Sequence, residues 1–195
     1  MISLFILIPA FILVAIVIIF VWSRRRAVVS PEAKPVKFKW RYVIVPVILL
    51  LLTGVMMSFF YNKLPEQAAY HFLVDGSPDK WASPVAIVLV GLLIQAGLVF
   101  IGWVMVMIAS RIAPSSQTEN MVLKPESLLV WMGNLVALPQ IIFGFVMLDL
   151  FSYNVYQKHL MPVWLFMVIV LVIATIGFIG FLFYMTRKAL KQANK

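Results

Sequence analysis

The stretch PVAIVLVGLLIQAGLVFIGWVMVMI, residues 84–108, decides the fold of this chain, and it contains no charged residue. A helix needs roughly 20 mostly apolar residues to cross a bilayer, so this stretch predicts a membrane-spanning helix. Four more apolar stretches of comparable length flank it, at about residues 2–22, 43–61, 127–151 and 163–185. The sequence therefore predicts an all-α integral membrane protein in which residues 1–195 form a single domain with five transmembrane helices.

The overall composition excludes several other classes of protein. Of the 195 residues, 64% are hydrophobic and 12% charged, with a mean hydropathy of +1.04, whereas soluble domains are about 45–50% apolar and about 25% charged. A soluble enzyme and a disordered tail are therefore excluded, and the absence of cysteine excludes a disulfide scaffold. The net charge of +9 comes from residues scattered in short loops, so no nucleic-acid partner is expected.

The basic residues predict how the chain is oriented in a cell membrane. Thirteen of the sixteen Lys and Arg residues follow spans one, three or five, and basic residues near span ends stay in the cytoplasm. The other side has only Lys63, Lys80 and Lys158. We therefore expect a multi-pass protein with its N-terminus outside and its C-terminus inside.

This orientation places a structured loop, residues 62–83, on the outer face between helices two and three. Leu64-Pro65 favours an extended exit from the helix, and Asp75-Gly76 is a turn dipeptide in which Gly76 can adopt a positive φ. The loop also has four large side chains that are too apolar for free solvation and should fold back onto the lipid headgroups: Tyr70, Phe72, Leu73 and Trp81.

The same loop carries a motif that resembles a known family. Leu64-Pro65, His71-Phe72 and the run Gly76-Ser77-Pro78-Asp79-Lys80-Trp81-Ala82-Ser83 are similar to the signature of the domain of unknown function 1648, which occurs in SdpI-type immunity proteins. The resemblance covers about residues 45–110. It implies a non-enzymatic, cofactor-free immunity or signalling protein of the membrane. The motif residues would then either bind a peptide or protein or give the loop its shape. They are Leu64, Pro65, His71, Phe72, Gly76, Pro78, Asp79 and Trp81.

Two alternatives come from other functional classes. A membrane-bound metal enzyme could use the imidazoles and carboxylates of His71, Asp75, Asp79 and His159, but their spacing matches no metal-binding motif. In the simpler interpretation, His71 hydrogen-bonds a turn carbonyl and His159 lies in the membrane interface. A small transporter would need ionisable groups inside the bilayer. Asp149, near the outer end of span four, is the ionisable residue that comes closest to the bilayer interior. Tyr153 or Asn154 would hydrogen-bond it there.

Two glutamines predict how the spans pack. Gln95 in span three and Gln140 in span four each lie 11 residues from the outer end of their span, on helical faces that also carry small residues. Amides in hydrocarbon need a hydrogen-bonding partner, and small residues let helices approach closely. We therefore expect these two faces to pack together, with Gln95 and Gln140 within hydrogen-bonding reach.

Overall fold

The computed structural model describes residues 36–73, 75–112 and 125–193. A short 3-10 helix, Trp40–Tyr42, leads into five α-helices interrupted by one pair of strands. The helices and strands, in chain order, are α1 Ile44–Tyr61, β1 Ala68–Phe72, β2 Pro78–Ala82, α2 Pro84–Ile112, α3 Pro125–Asn134, α4 Ala137–Tyr156 and α5 Val163–Ala193.

Four stretches of the described residues are helical, long and apolar enough to cross a membrane. They are Ile44–Tyr61, Pro84–Arg111, Glu126–Tyr156 and Val163–Lys188, which confirms four of the expected apolar helices. The remaining predicted span, 2–22, lies outside the described residues. The third stretch is not one regular helix, because the turn at residues 135–136 separates α3 from α4. It also extends five residues past the predicted end, to Tyr156.

The all-α expectation is wrong in the loop that follows α1. There, β1 and β2 form an antiparallel hairpin in which Ala68 faces Ala82 and Ala69 faces Trp81. Register shifts interrupt the pairing on either side of His71, and such bulges break the strict alternation of side chains by which a strand is recognised in a sequence. The loop therefore has the composition of a turn-rich connection although it forms strands.

The described chain divides into two compact units. One comprises Val45–Ile101 and Val136–Leu182. Within it, Gly91 lets α2 lie close to the methionines of neighbouring helices, since a Cβ at Gly91 would be 2.5 Å from Met57 Cε and 3.0 Å from Met147 Cε. Methionine fills irregular gaps of this kind because its side chain is unbranched and flexible.

The other unit takes in the described residues up to Ile44, within Gly102–Leu135 and from Phe183 onward. Its core is built on the fully buried Tyr42, packed with Val43, Val106, Ala109 and Leu129. Lys39 Nζ donates to Glu126 Oε1 at 2.8 Å, and Arg41 pairs with the other oxygen of the same carboxylate. One acidic side chain at the start of α3 thus binds two of the basic residues that precede α1.

Candidate functional site

The tip of the hairpin is a tightly bonded turn. Asp75 Oδ1 accepts hydrogen bonds from Ser77 N at 3.0 Å and from Ser77 Oγ at 2.7 Å, and these bonds lower the pKa of the Asp75 carboxyl. Gly76 has φ +84°, which confirms the positive φ expected from the Asp75-Gly76 dipeptide. Leu73 N donates to Ser77 O at 2.8 Å and closes the turn. The tip is therefore held by its own residues.

An asparagine from α4 anchors the base of the hairpin. Asn154 Oδ1 accepts from Ala69 N at 2.7 Å, and Asn154 Nδ2 donates to Ala69 O at 2.8 Å and to Leu150 O at 2.9 Å. The side-chain amide thus pairs with Ala69 as a neighbouring strand would. Both residues are buried, with Ala69 2% and Asn154 9% exposed. The sequence predicts Asn154 only as a partner for Asp149 and gives no sign of this contact with Ala69.

The two strands are joined by a histidine–carboxylate pair. His71 Nδ1 in β1 bonds Asp79 Oδ1 in β2, and both side chains are about a quarter exposed. The interpretation that His71 bonds a turn carbonyl is therefore wrong, because its partner is the carboxylate that the family motif also contains. A carboxylate on Nδ1 fixes the orientation of the ring and leaves Nε2 as the nitrogen that can meet another group.

A second histidine–carboxylate pair closes the connection between α4 and α5. Asp149 Oδ2 bonds His159 Nδ1 at 2.8 Å, and Asp149 Oδ1 accepts from Leu160 N at 2.6 Å. Asp149 is 6% exposed, so its burial is matched by two hydrogen bonds. The expected bond from Asp149 to Tyr153 or Asn154 is wrong, since both carboxylate oxygens are directed at residues 159 and 160.

The hairpin and the second pair meet in an aromatic cluster. Phe72 packs edge-on against Tyr153, with 4.7 Å between ring centroids, and against His159 at 4.8 Å, while Tyr153 and His159 stack on each other. Gly76 also lies beside His159, since a Cβ at Gly76 would be 3.9 Å from His159 Cδ2. Such edge-to-face pairs stabilise contacts beyond simple area burial, so the aromatic cluster fixes the hairpin against α4.

The remaining residues of the sequence motif lie at the ends of the elements. Leu64 N donates to Tyr61 O at 3.4 Å in the turn that ends α1, and Pro65 is exposed. Pro78 begins β2 and faces Phe72. The side chain of Trp81 is 52% exposed. Among the described residues, no three His, Asp or Glu side chains come together as a metal site would require.

The hairpin lies within a segment of the chain that matches a known protein family. Residues 48–94 match the family described as "Domain of unknown function (DUF1648)". The chain contains a DUF1648 domain. No curated protein and no solved structure matches the chain significantly.

In each contact that holds the hairpin to α4 or to the α4–α5 connection, one of the two residues belongs to the DUF1648 domain. Ala69 and Phe72 lie inside the matched segment, whereas their partners Asn154, Tyr153 and His159 lie outside it. Both members of the His71–Asp79 pair lie within it. The hairpin is thus made by the DUF1648 domain and positioned by α4 and the α4–α5 connection.

The two glutamines come together in the interior, and Gln95 follows directly after the DUF1648 segment. Gln95 Nε2 donates to the main-chain oxygen of Gln140 at 3.1 Å and to Thr53 Oγ1 at 3.3 Å. Gln140 Nε2 instead donates to Pro46 O at 3.2 Å. The faces of α2 and α4 therefore pack as their spacing indicated, but Gln95 bonds the main chain of Gln140 and not its side chain.

We expect Gln95 and Thr53 to be energetically coupled. In a double-mutant cycle of Gln95→Leu and Thr53→Val, the coupling energy should be roughly 0.6–1.7 kcal/mol, between the average and the maximum found for hydrogen bonds between membrane helices. Thermal unfolding in detergent provides the four stabilities. Thr175→Val is the matched control, because Thr175 Oγ1 donates to Leu171 O on its own exposed helix face and should not couple to Gln95. Zero coupling with Thr53 would contradict the bond.

Proposed function

We propose that this protein is a non-enzymatic, five-span protein of the cell membrane that binds an extended peptide segment of a partner along β2 of the hairpin. The hairpin lies outside the cell in this proposal, since the charge distribution assigns the loop between the second and third spans to that side. The DUF1648 domain and the four apolar helices support an integral membrane protein. The proposed binding would serve an immunity or signalling role of the SdpI type.

The open edge of β2 is the observation that carries the proposal. Because the N–H and C=O of Ala69 bind Asn154, Ala69 and Trp81 form a non-hydrogen-bonded pair, and the main-chain groups of Trp81 point away from β1. In this pairing, the N–H and C=O of Trp81 lie on the outer edge of β2, where a further strand could bond them. The Asn154 amide occupies the opposite edge of the sheet at Ala69. Strand addition to the remaining edge is a common way to bind an extended peptide.

The exposed side chains around this edge suit a peptide partner. Trp81, Leu73 and Tyr70 are 52%, 51% and 40% exposed, and such aromatic and apolar residues are enriched at protein interfaces. The His71–Asp79 pair lies on the same two strands and adds polar groups for specificity. A peptide strand would gain main-chain hydrogen bonds from Trp81 and side-chain contacts from its neighbours.

Site-specific photo-cross-linking in cells of the natural host tests this proposal. A photoreactive residue at Lys80, which is exposed in β2, should form an adduct with a peptide or protein, whereas one at the exposed Leu165 of α5 should not. Trp81→Pro removes the outward N–H and is tolerated on an edge strand, so it should abolish the adduct, while Trp81→Val should retain it. Equal adducts in the Pro and Val variants would overturn strand addition.

The orientation is tested by labelling single cysteines in intact cells. The chain has no native cysteine, so each introduced thiol reports on one position. Cysteines at Gln67 and Gln157 should react with an impermeant thiol reagent, and a cysteine at Ala33 should not, because most basic residues are predicted to be cytoplasmic. Labelling of the Ala33 position in sealed cells would overturn the proposed orientation.

A further inference from the structure

Two buried oxygens lack hydrogen-bonding partners in the interior of the unit that contains Val45–Ile101 and Val136–Leu182. They are Oε1 of Gln95 and Oε1 of Gln140, on side chains that are 0% and 1% exposed. Neither oxygen has a partner among the described residues. Buried polar side chains are normally hydrogen-bonded, and the need is strongest where the surroundings are apolar. The two amides therefore indicate that something with hydrogen-bond donors lies beside them.

The orientation of both amides is determined by their surroundings. Gln95 Nε2 faces the main-chain oxygen of Gln140, and Gln140 Nε2 faces the main-chain oxygen of Pro46. Exchanging O and N in either side chain would bring its Oε1 against a carbonyl oxygen, and two acceptors repel each other. The unpartnered atoms are thus the oxygens in either case, and the missing group must be a donor.

The chain offers few side chains that could supply this donor. The helical stretches 44–61, 84–108 and 137–148, which hold the three polar residues, have no Asp, Glu, Lys, Arg or His. In the remaining apolar stretches, 2–22 and 163–185, the side chains that can donate are Ser3, Trp22, Trp164 and Tyr184, which lie near the ends, and Thr175, whose hydroxyl donates to Leu171 O in its own helix. A donor at the level of the glutamines is therefore more easily provided by a bound small molecule than by the protein.

We infer that the cluster of Thr53, Gln95 and Gln140 is an internal water site, in which bound water donates hydrogen bonds to the two Oε1 atoms. Buried waters typically make about three hydrogen bonds to groups that would otherwise have none. Gly144 leaves the cluster uncovered by a side chain, since a Cβ there would be 3.6 Å from Thr53 Oγ1 and 3.7 Å from Gln95 Nε2. The site is independent of the hairpin and of the proposed peptide binding.

The chemistry of the site favours water over a cation. The acidic residue nearest to Gln140 in sequence is Asp149, nine residues away and about 13 Å along a helix axis. Its carboxylate is already bonded to His159 and Leu160. A cation among neutral oxygens would have no counter-charge in an apolar environment, which is costly. Water satisfies the same oxygens without bringing charge.

Transfer of magnetisation from water to isotope-labelled protein in lipid vesicles, measured by solid-state NMR, tests the inference on the intact chain. The side-chain carbonyl carbons of Gln95 and Gln140 should gain signal nearly as fast as that of Gln157, which is exposed. They should gain it several times faster than the methyl groups of Ile142, which is 3% exposed on the same helix as Gln140. Transfer to both glutamines as slow as to Ile142 would overturn the water site.

Two further measurements distinguish water from other occupants of the site, and neither depends on unfolding the protein. Replacing sodium and potassium chloride by choline chloride should leave the Gln95 and Gln140 carbonyl shifts unchanged, and a shift would identify a cation and overturn a neutral occupant. In the Gln140→Leu variant, which removes one of the two acceptors, transfer to Gln95 should fall at least twofold if water binds both oxygens. Unchanged transfer there would overturn a site shared by the two amides.

Discussion

Replacing Asn154 by leucine should release the hairpin from α4. Leucine has the same number and branching of side-chain heavy atoms as asparagine but cannot bond Ala69, so the two hydrogen bonds at 2.7 and 2.8 Å are lost. At about 0.5–1.5 kcal/mol for each bond, the Ala69 amide should lose protection worth roughly 1–3 kcal/mol. Hydrogen exchange at that amide should accelerate about 5- to 150-fold, since 1.4 kcal/mol corresponds to a factor of ten. Mass spectrometry of the 66–82 region measures the change.

The matched control is Asn134→Leu in α3. Asn134 Nδ2 donates to Val130 O at 2.8 Å, four residues earlier in its own helix, just as Asn154 Nδ2 donates to Leu150 O. Both variants therefore lose the same local bond, but only Asn154→Leu loses the bonds to the strand. Exchange at Ala69 should be unaffected in Asn134→Leu, and unaffected exchange in Asn154→Leu as well would show that Asn154 does not hold the hairpin.

Asn154 also illustrates what the sequence could not predict. The spans follow from apolar runs, because a bilayer sets the length of a crossing helix. The positive φ of Gly76 follows from a dipeptide, because turn chemistry is local. Asn154 and Ala69 are separated by 85 positions, and nothing in either segment indicates that an amide will meet the edge of a strand. The strand itself is short and bulged, so its alternation is too weak to recognise.

The glutamines lie between these two cases. Their spacing on small-residue faces and their equal distance from the span ends are enough to predict that Gln95 lies next to Gln140. The atoms that bond could not be chosen from the sequence, because a side-chain amide and a main-chain oxygen of the same residue lie at nearly the same depth. Asp149 shows the same limit, since its choice of His159 over Tyr153 depends on the path of the α4–α5 connection.

Gly133→Ala should destabilise the protein because the backbone at that point is in close contact with another segment. A Cβ at Gly133 would overlap the main-chain oxygen of Tyr42 and lie 2.7 Å from Val106 Cγ2. Main-chain atoms cannot rotate away, so the 3-10 helix or α3 must shift. Overpacking of this kind costs typically about 1–3 kcal/mol. Thermal unfolding in detergent should show the transition moving down by several degrees, at roughly 2–4 °C for each kcal/mol.

Two other glycines make this prediction specific. Gly180 on α5 has no atom within 4 Å of the position that a Cβ would take, so Gly180→Ala should be neutral or stabilising, by up to about 1 kcal/mol, since alanine favours a helix. Gly91→Ala meets the flexible ends of Met57 and Met147, which can rotate, so its effect should fall between the other two. Because all three substitutions add the same methyl group to a helix, their order of stability depends on what that methyl meets. A Gly133 variant as stable as the Gly180 variant would contradict the close approach of α3 to Tyr42.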